Sequence, residues 1–114
     1  MISNKKFREL ALALPESAEL PHFENLSFRV NKKIFATLNE RERRACLKLN
    51  EIDQNVFSSI DKTIIYPVPN KWGKQGWTLV ELKKIRQDTL IDALTTAYKT
   101  IAPKRLRELL PEVG

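Results

Sequence analysis

The residues best equipped for chemistry lie in one stretch of twelve, Tyr66 to Trp77, reading Tyr-Pro-Val-Pro-Asn-Lys-Trp-Gly-Lys-Gln-Gly-Trp. It gathers two prolines, two glycines, two lysines and both tryptophans of the chain. Indole is costly to leave in water, so each tryptophan either anchors this loop on the core or offers a flat amphipathic face to a partner. Pro67 and Pro69 stiffen the entry, while Gly73 and Gly76 permit backbone conformations closed to other residues. Lys71 and Lys74 bracket Trp72, a pattern suited to phosphate contact with the indole stacking or wedging. Asn70 and Gln75 add amides able to bond a base edge. The competing reading packs both indoles into the domain and leaves the lysines to keep the loop soluble. Trp77 heads an alternating strand and is expected in the core; Trp72 stands between the two readings.

A second basic set comprises Arg29, Lys32 and Lys33 around one turn and Arg41, Arg43 and Arg44 at the next. Turns at opposite ends of a strand lie roughly 20 to 30 Å apart at a rise of about 3.3 Å per residue, so these would meet a duplex at two places. Glu40 and Glu42 interleave with the arginines, and a self-neutralised, solvated turn is the alternative. Catalytic chemistry finds less support. Cys46 sits inside an alternating run with no activating base at motif spacing, which reads as a buried thiol. His22, the sole histidine, lacks a second ligand at metal spacing. With no phosphate-cradling glycine motif, serine elbow or paired carboxylates, a non-enzymatic chain without cofactor or metal is expected.

The elements that must position these residues follow from periodicity. Ser3 can cap a helix whose apolar residues Phe7, Leu10, Ala11 and Leu14 share one face until Pro15. Pro15 to Asn25 reads as an irregular connection. Leu26 to Val30 and Lys33 to Leu38 read as a hairpin turning at Asn31 and Lys32, and Ala45, Leu47 and Leu49 mark a third strand. Asn50 caps a short helix with Ile52, Val56 and Phe57 as its buried stripe. Thr63 to Tyr66 and Trp77 to Leu82 are strands on either side of the loop. Asp88 caps a long helix through Ile91, Leu94, Tyr98 and Ile101 that stops near Pro103, and the tail from Lys104 to Leu110 adds another turn or two. The order predicts an α+β domain over residues 1–114: an antiparallel sheet of about five strands with helices packed on one face.

Composition sets the outer bounds. A chain of 114 residues with 42% hydrophobic and 30% charged residues is the size and make-up of one globular domain. No apolar run approaches the roughly 18 residues of a membrane span. The opening Met-Ile-Ser-Asn-Lys-Lys leads into an amphipathic pattern, not an apolar signal core, and the single cysteine suits a reducing compartment; a cytoplasmic location is expected. A net charge of +6 and a pI near 9.6 favour polyanions as partners.

The loop through Trp77-Thr78, with Phe28-Arg-Val-Asn-Lys-Lys-Ile-Phe-Ala and Cys46-Leu-Lys-Leu before it and Ala97-Tyr and Ala102-Pro-Lys after it, resembles the MmcQ/YjbR family over nearly the whole chain. That resemblance implies an α+β fold similar to the bacterial frataxin homologue CyaY, and DNA binding through a double wing. Asn31 and Lys32 stand where the family often has Gly-Gly, and Pro21-His-Phe where it often has a Tyr-Pro-Phe-like segment. A frataxin-like fold also raises iron, but the first helix carries Lys5, Lys6 and Arg8 against Glu9, with Glu16 and Glu19 only beyond Pro15, so no acidic ridge is expected. The expectation is a DNA-binding protein making phosphate and shape contacts, with Lys71, Trp72 and Lys74 foremost. The alternative is an adaptor module whose open sheet face and Trp loop receive a protein partner.

Overall fold

The computed structural model describes residues 1–110. Helix α1 (Asn4–Leu12) begins where extended Ser3 accepts the Lys6 N–H on its side chain at 3.0 Å, and it buries Phe7 and Ala11. The Ser17 hydroxyl then donates to the carbonyls of Ala11 and Leu14, closing the helix end. Beyond it the chain does not wander to Asn25 as the sequence reading expects. Ala18–His22 forms an outer strand, β1, paired antiparallel with β2 (Asn25–Val30). A polar, proline-bearing segment can do this at an edge, where only one side must supply a ladder.

From β2 the chain turns into β3 (Lys33–Asn39) and β4 (Arg44–Lys48), crosses through α2 (Glu51–Ser58), and enters β5 (Ile65–Pro67). The one-turn α3 (Lys71–Lys74) leads into β6 (Trp77–Glu81), then α4 (Gln87–Ile101) and α5 (Lys104–Arg107) follow. The described residues form six strands in the order β1-β2-β3-β4-β6-β5, every neighbouring pair antiparallel, and five helices. This is the α+β architecture expected, with one strand more. Thr63 falls outside β5 because its N–H and hydroxyl both donate to the Asp61 carboxylate, making a turn there.

The helices gather on one face. Phe28, Leu38, Leu47 and Val80 point from the sheet into a core completed by Phe7 of α1 and by Leu90, Leu94 and Tyr98 of α4, all nearly inaccessible to water. A register shift beside Phe28 and Arg29 leaves Phe35 unpaired, so both Phe35 and Ala36 turn inward. Phe35 then meets Tyr98 edge to face at 5.5 Å, and the Tyr98 hydroxyl donates to the Pro15 carbonyl at 2.6 Å, tying α4 to the end of α1.

Two helices differ from the sequence reading. Ile52 and Val56 of α2 are 74% and 56% exposed, while Gln54 and Ser58 are buried and Phe57 is half-buried. The helix is rotated to satisfy the Gln54 amide and leaves the aliphatic stripe in water. On α4 the cap position is Arg86, without a side-chain cap bond; Asp88 lies in the first turn and pairs with Arg86 at 3.2 Å. Among the described residues no helix is long and apolar enough to cross a membrane.

Candidate nucleic-acid interface

The Trp loop is held at both of its glycines. Asn70 caps α3 by accepting the Trp72 N–H at 2.9 Å on its side-chain oxygen. A Cβ on Gly73 would lie 1.9 Å from the Val68 carbonyl oxygen. Gly76 has φ of +102° and would set a Cβ 1.8 Å from the Leu49 oxygen, while its own carbonyl accepts the Leu49 N–H at 2.9 Å. From below, the buried Gln54 amide donates to the Gly73 carbonyl at 2.9 Å, the Thr78 hydroxyl oxygen at 3.1 Å and the Trp77 carbonyl at 3.3 Å. So anchored, the loop carries Trp72 to the sheet face that the helices leave open, where the residue is 48% exposed.

Trp77 faces the same way. In β6 the buried positions are Thr78 and Val80, so Trp77, Leu79 and Glu81 alternate onto the open face and Trp77 is half-buried. The sequence expectation of a core tryptophan is thereby corrected: strand alternation was right, its phase was not. Lys48, opposite Trp77 in the β4–β6 register, holds its ammonium 5.5 Å from that ring centroid and also donates to the Gln75 carbonyl. The Lys71 ammonium lies 5.5 Å from the Trp72 ring in the same manner. Both are cation–π distances.

Between the indoles opens a cleft of about 450 Å³ whose apolar walls are Ile34, Cys46, Val68, Trp72 and Trp77. Its polar groups are His22 and Asn25, from the β1–β2 hairpin, and Thr37 of β3. Burial pushes the Cys46 thiol up to about 11, partly offset by a backbone hydrogen bond from Thr78, so it lines the cleft as a neutral group. At the hairpin tip beside the cleft, Phe23 is 96% exposed at φ of +57°, its ring edge to face with His22 at 4.9 Å. Periodicity puts His22 in an irregular connection and gives Phe23 and Ile34 no role. A signal was present: β3 and β4 read Ile34-Phe35-Ala36 and Ala45-Cys46-Leu47, apolar on both faces, as strands covered on both sides are.

Strand order divides the basic residues into two groups. Antiparallel pairing sets the start of β3, the end of β4 and the start of β6 at one end of the sheet. Lys32 and Lys33 of the β2–β3 turn therefore share that end with Lys48, Lys71 and Lys74, and Arg29 lies beside them with its Nε donating to Ser27 Oγ at 3.0 Å. Asn31 and Lys32 both take positive φ, +51° and +67°, the two-residue turn that glycines otherwise favour.

Arg41, Arg43 and Arg44 belong to the opposite end, about 20 Å along β3. There Arg41 is exposed between Glu40 and Glu42. Arg43 instead donates to the Ile2 carbonyl at 2.9 Å, and Arg44 pairs with Glu81 at 2.7 Å. Burial pushes the Glu81 carboxyl up, but hydrogen bonds from Tyr66 and Arg44 outweigh it and the net direction is downward. Asn70 spends its side-chain oxygen on the α3 cap, while Gln75 stays exposed at the loop's end.

Comparison with known proteins matches residues 12–100 to the YjbR family model. Among solved structures the chain is similar to the crystal structure of Deinococcus radiodurans protein DR2400, whose family-model domain is DUF419. The TM-score is 0.79 at 22% identity, covering 97% of this chain and 91% of that one. At such identity the likeness speaks for the fold. No curated protein matches. With the family model matched over most of its length, the chain belongs to the YjbR family.

Proposed function

We propose that this protein binds DNA, holding the phosphate backbone along the basic end of its sheet. The observation that carries the reading is the meeting of Lys32, Lys33, Lys48, Lys71 and Lys74 at that end, from two turns and a strand. Among the described residues none of the five is in an ion pair, whereas Arg8, Arg44 and Arg105 are each matched to a carboxylate. Unpaired ammoniums beside a net charge of +6 form the field that a polyphosphate enters. No recognition helix accompanies them, so contacts are to phosphate and groove shape, with little base preference.

Fluorescence anisotropy of a labelled duplex across a salt series tests this. Neutralising about four phosphates gives a logarithmic slope of about −3.6, and the Lys71→Ala, Lys74→Ala double variant flattens it by about two units. Absence of binding at low salt removes the reading. A second reading, an adaptor for a protein partner, draws on the cleft itself: its walls carry no cation, and apolar grooves serve peptides. It takes precedence if the duplex is ignored.

A further inference from the structure

The cleft between the tryptophans has features that phosphate binding does not use. At about 450 Å³ it falls within the range of small-molecule sites, roughly 300 to 1,000 Å³. Its walls are flat and apolar, formed by two indoles, two aliphatic side chains and an un-ionised thiol. The side chains of His22, Asn25 and Thr37 make no hydrogen bond among the described residues, so donors and acceptors face the cleft unspent. No charged side chain lines it, yet the ammoniums of Lys48 and Lys71 stand at the two indoles. The occupant that matches is a planar, neutral, hydrogen-bonding ring attached to anionic groups. A nucleobase in a phosphodiester chain is such a group. A neutral peptide would put apolar side chains on the walls but leave the ammoniums beside the two indoles unmatched.

Phe23 points the same way. A bulky residue at φ of +57° is uncommon, and this one is 96% exposed beside His22, a cleft residue. Trp72, itself a wall of the cleft, is 48% exposed. Two solvent-exposed aromatic residues, Phe23 beside the lining His22 and Trp72 in the wall itself, thus accompany the half-buried Trp77, a grouping suited to stacking the bases of a single strand. Bases within an intact duplex cannot reach such walls, because their faces are already stacked.

We propose that this cleft receives an unpaired base, so that the preferred ligand is single-stranded DNA or a duplex with an extruded base, and that Phe23 and Trp72 stack on the strand. The proposal rests on the DNA-binding reading and narrows its substrate. Three probes of equal length separate the two: an oligothymidylate, the same sugar-phosphate chain with abasic residues throughout, and a blunt duplex. Tryptophan fluorescence and anisotropy are followed for each.

The expected result is quenching by oligothymidylate, with the abasic chain bound roughly tenfold more weakly at an unchanged salt slope. Trp72→Ala and Phe23→Ala each lose about tenfold for oligothymidylate and little for the abasic chain, while both keep the wild-type melting temperature within a few degrees. Asn25→Ala with Thr37→Val, which leaves the rings in place, weakens oligothymidylate alone. If abasic chain and duplex bind as tightly as oligothymidylate, phosphate contact stands and the base pocket is overturned. If none of the three binds, the DNA reading falls with it.

Discussion

At the scale of single residues, the loop's two kinds of special residue have opposite demands. Gly76 is irreplaceable on two counts, its positive φ and the carbonyl oxygen 1.8 Å from any added Cβ. Gly76→Ala is expected to cost about 3 kcal/mol or more, combining strain and overpacking. Trp77, half-buried against one sheet face, has less to lose. Trp77→Ala is expected to cost about 2 kcal/mol, below the roughly 3 to 5 of a core tryptophan, and Trp72→Ala less again. Urea unfolding of the three variants checks the order Gly76, Trp77, Trp72. An equal cost for both tryptophans would mean that the loop is a plug in the core. The glycines were legible because their chemistry is local. The phase of Trp77 was not, because Trp77 and Leu79 are as apolar as the inward Val80 and alternation alone leaves the face unassigned.

At the scale of elements, α2 holds the site in place by a polar contact. Gln54 reaches three groups of the loop and β6 with one buried amide. Gln54→Leu keeps the volume but strands those acceptors, at an expected cost of about 2 to 3 kcal/mol, with faster amide exchange from Gly73 to Trp77. Val56→Lys, on the exposed side of the same helix, is expected to change stability by less than about 0.5 kcal/mol. Denaturation and hydrogen exchange on both variants test this, and a larger loss at Val56 would show that the aliphatic stripe is covered in solution. Sequence reading chose Ile52 and Val56 for the core because periodicity weighs hydrophobicity and cannot see that a distant loop needs a donor. It missed β1 for a related reason: an outermost strand with one ladder and one solvent side can be polar throughout. The hairpins, the caps at Ser3 and Asn50 and the stop before Pro103 were legible because short-range sterics and hydrogen bonds decide them.

At the scale of the whole molecule, pairing order did what charge count could not. The sequence shows twenty Lys and Arg residues against fourteen acids, but not which of them share a surface. Register put two basic turns together at one end of the sheet and consumed Arg43 and Arg44 structurally at the other. The same register has a consequence for how copies of the chain meet. The sheet is open, so its two outermost strands, β1 and β5, could each recruit a neighbour and polymerise. Each carries a proline, Pro21 and Pro67, and β5 is only three residues long. A proline supplies no N–H to an incoming strand, so neither border offers an unbroken ladder. Replacing both prolines by threonine should leave the fold standing yet raise light scattering on mild heating; scattering equal to wild type would mean that something else guards the borders. With both borders interrupted in this way, the sheet ends at its six strands instead of running on through neighbouring copies.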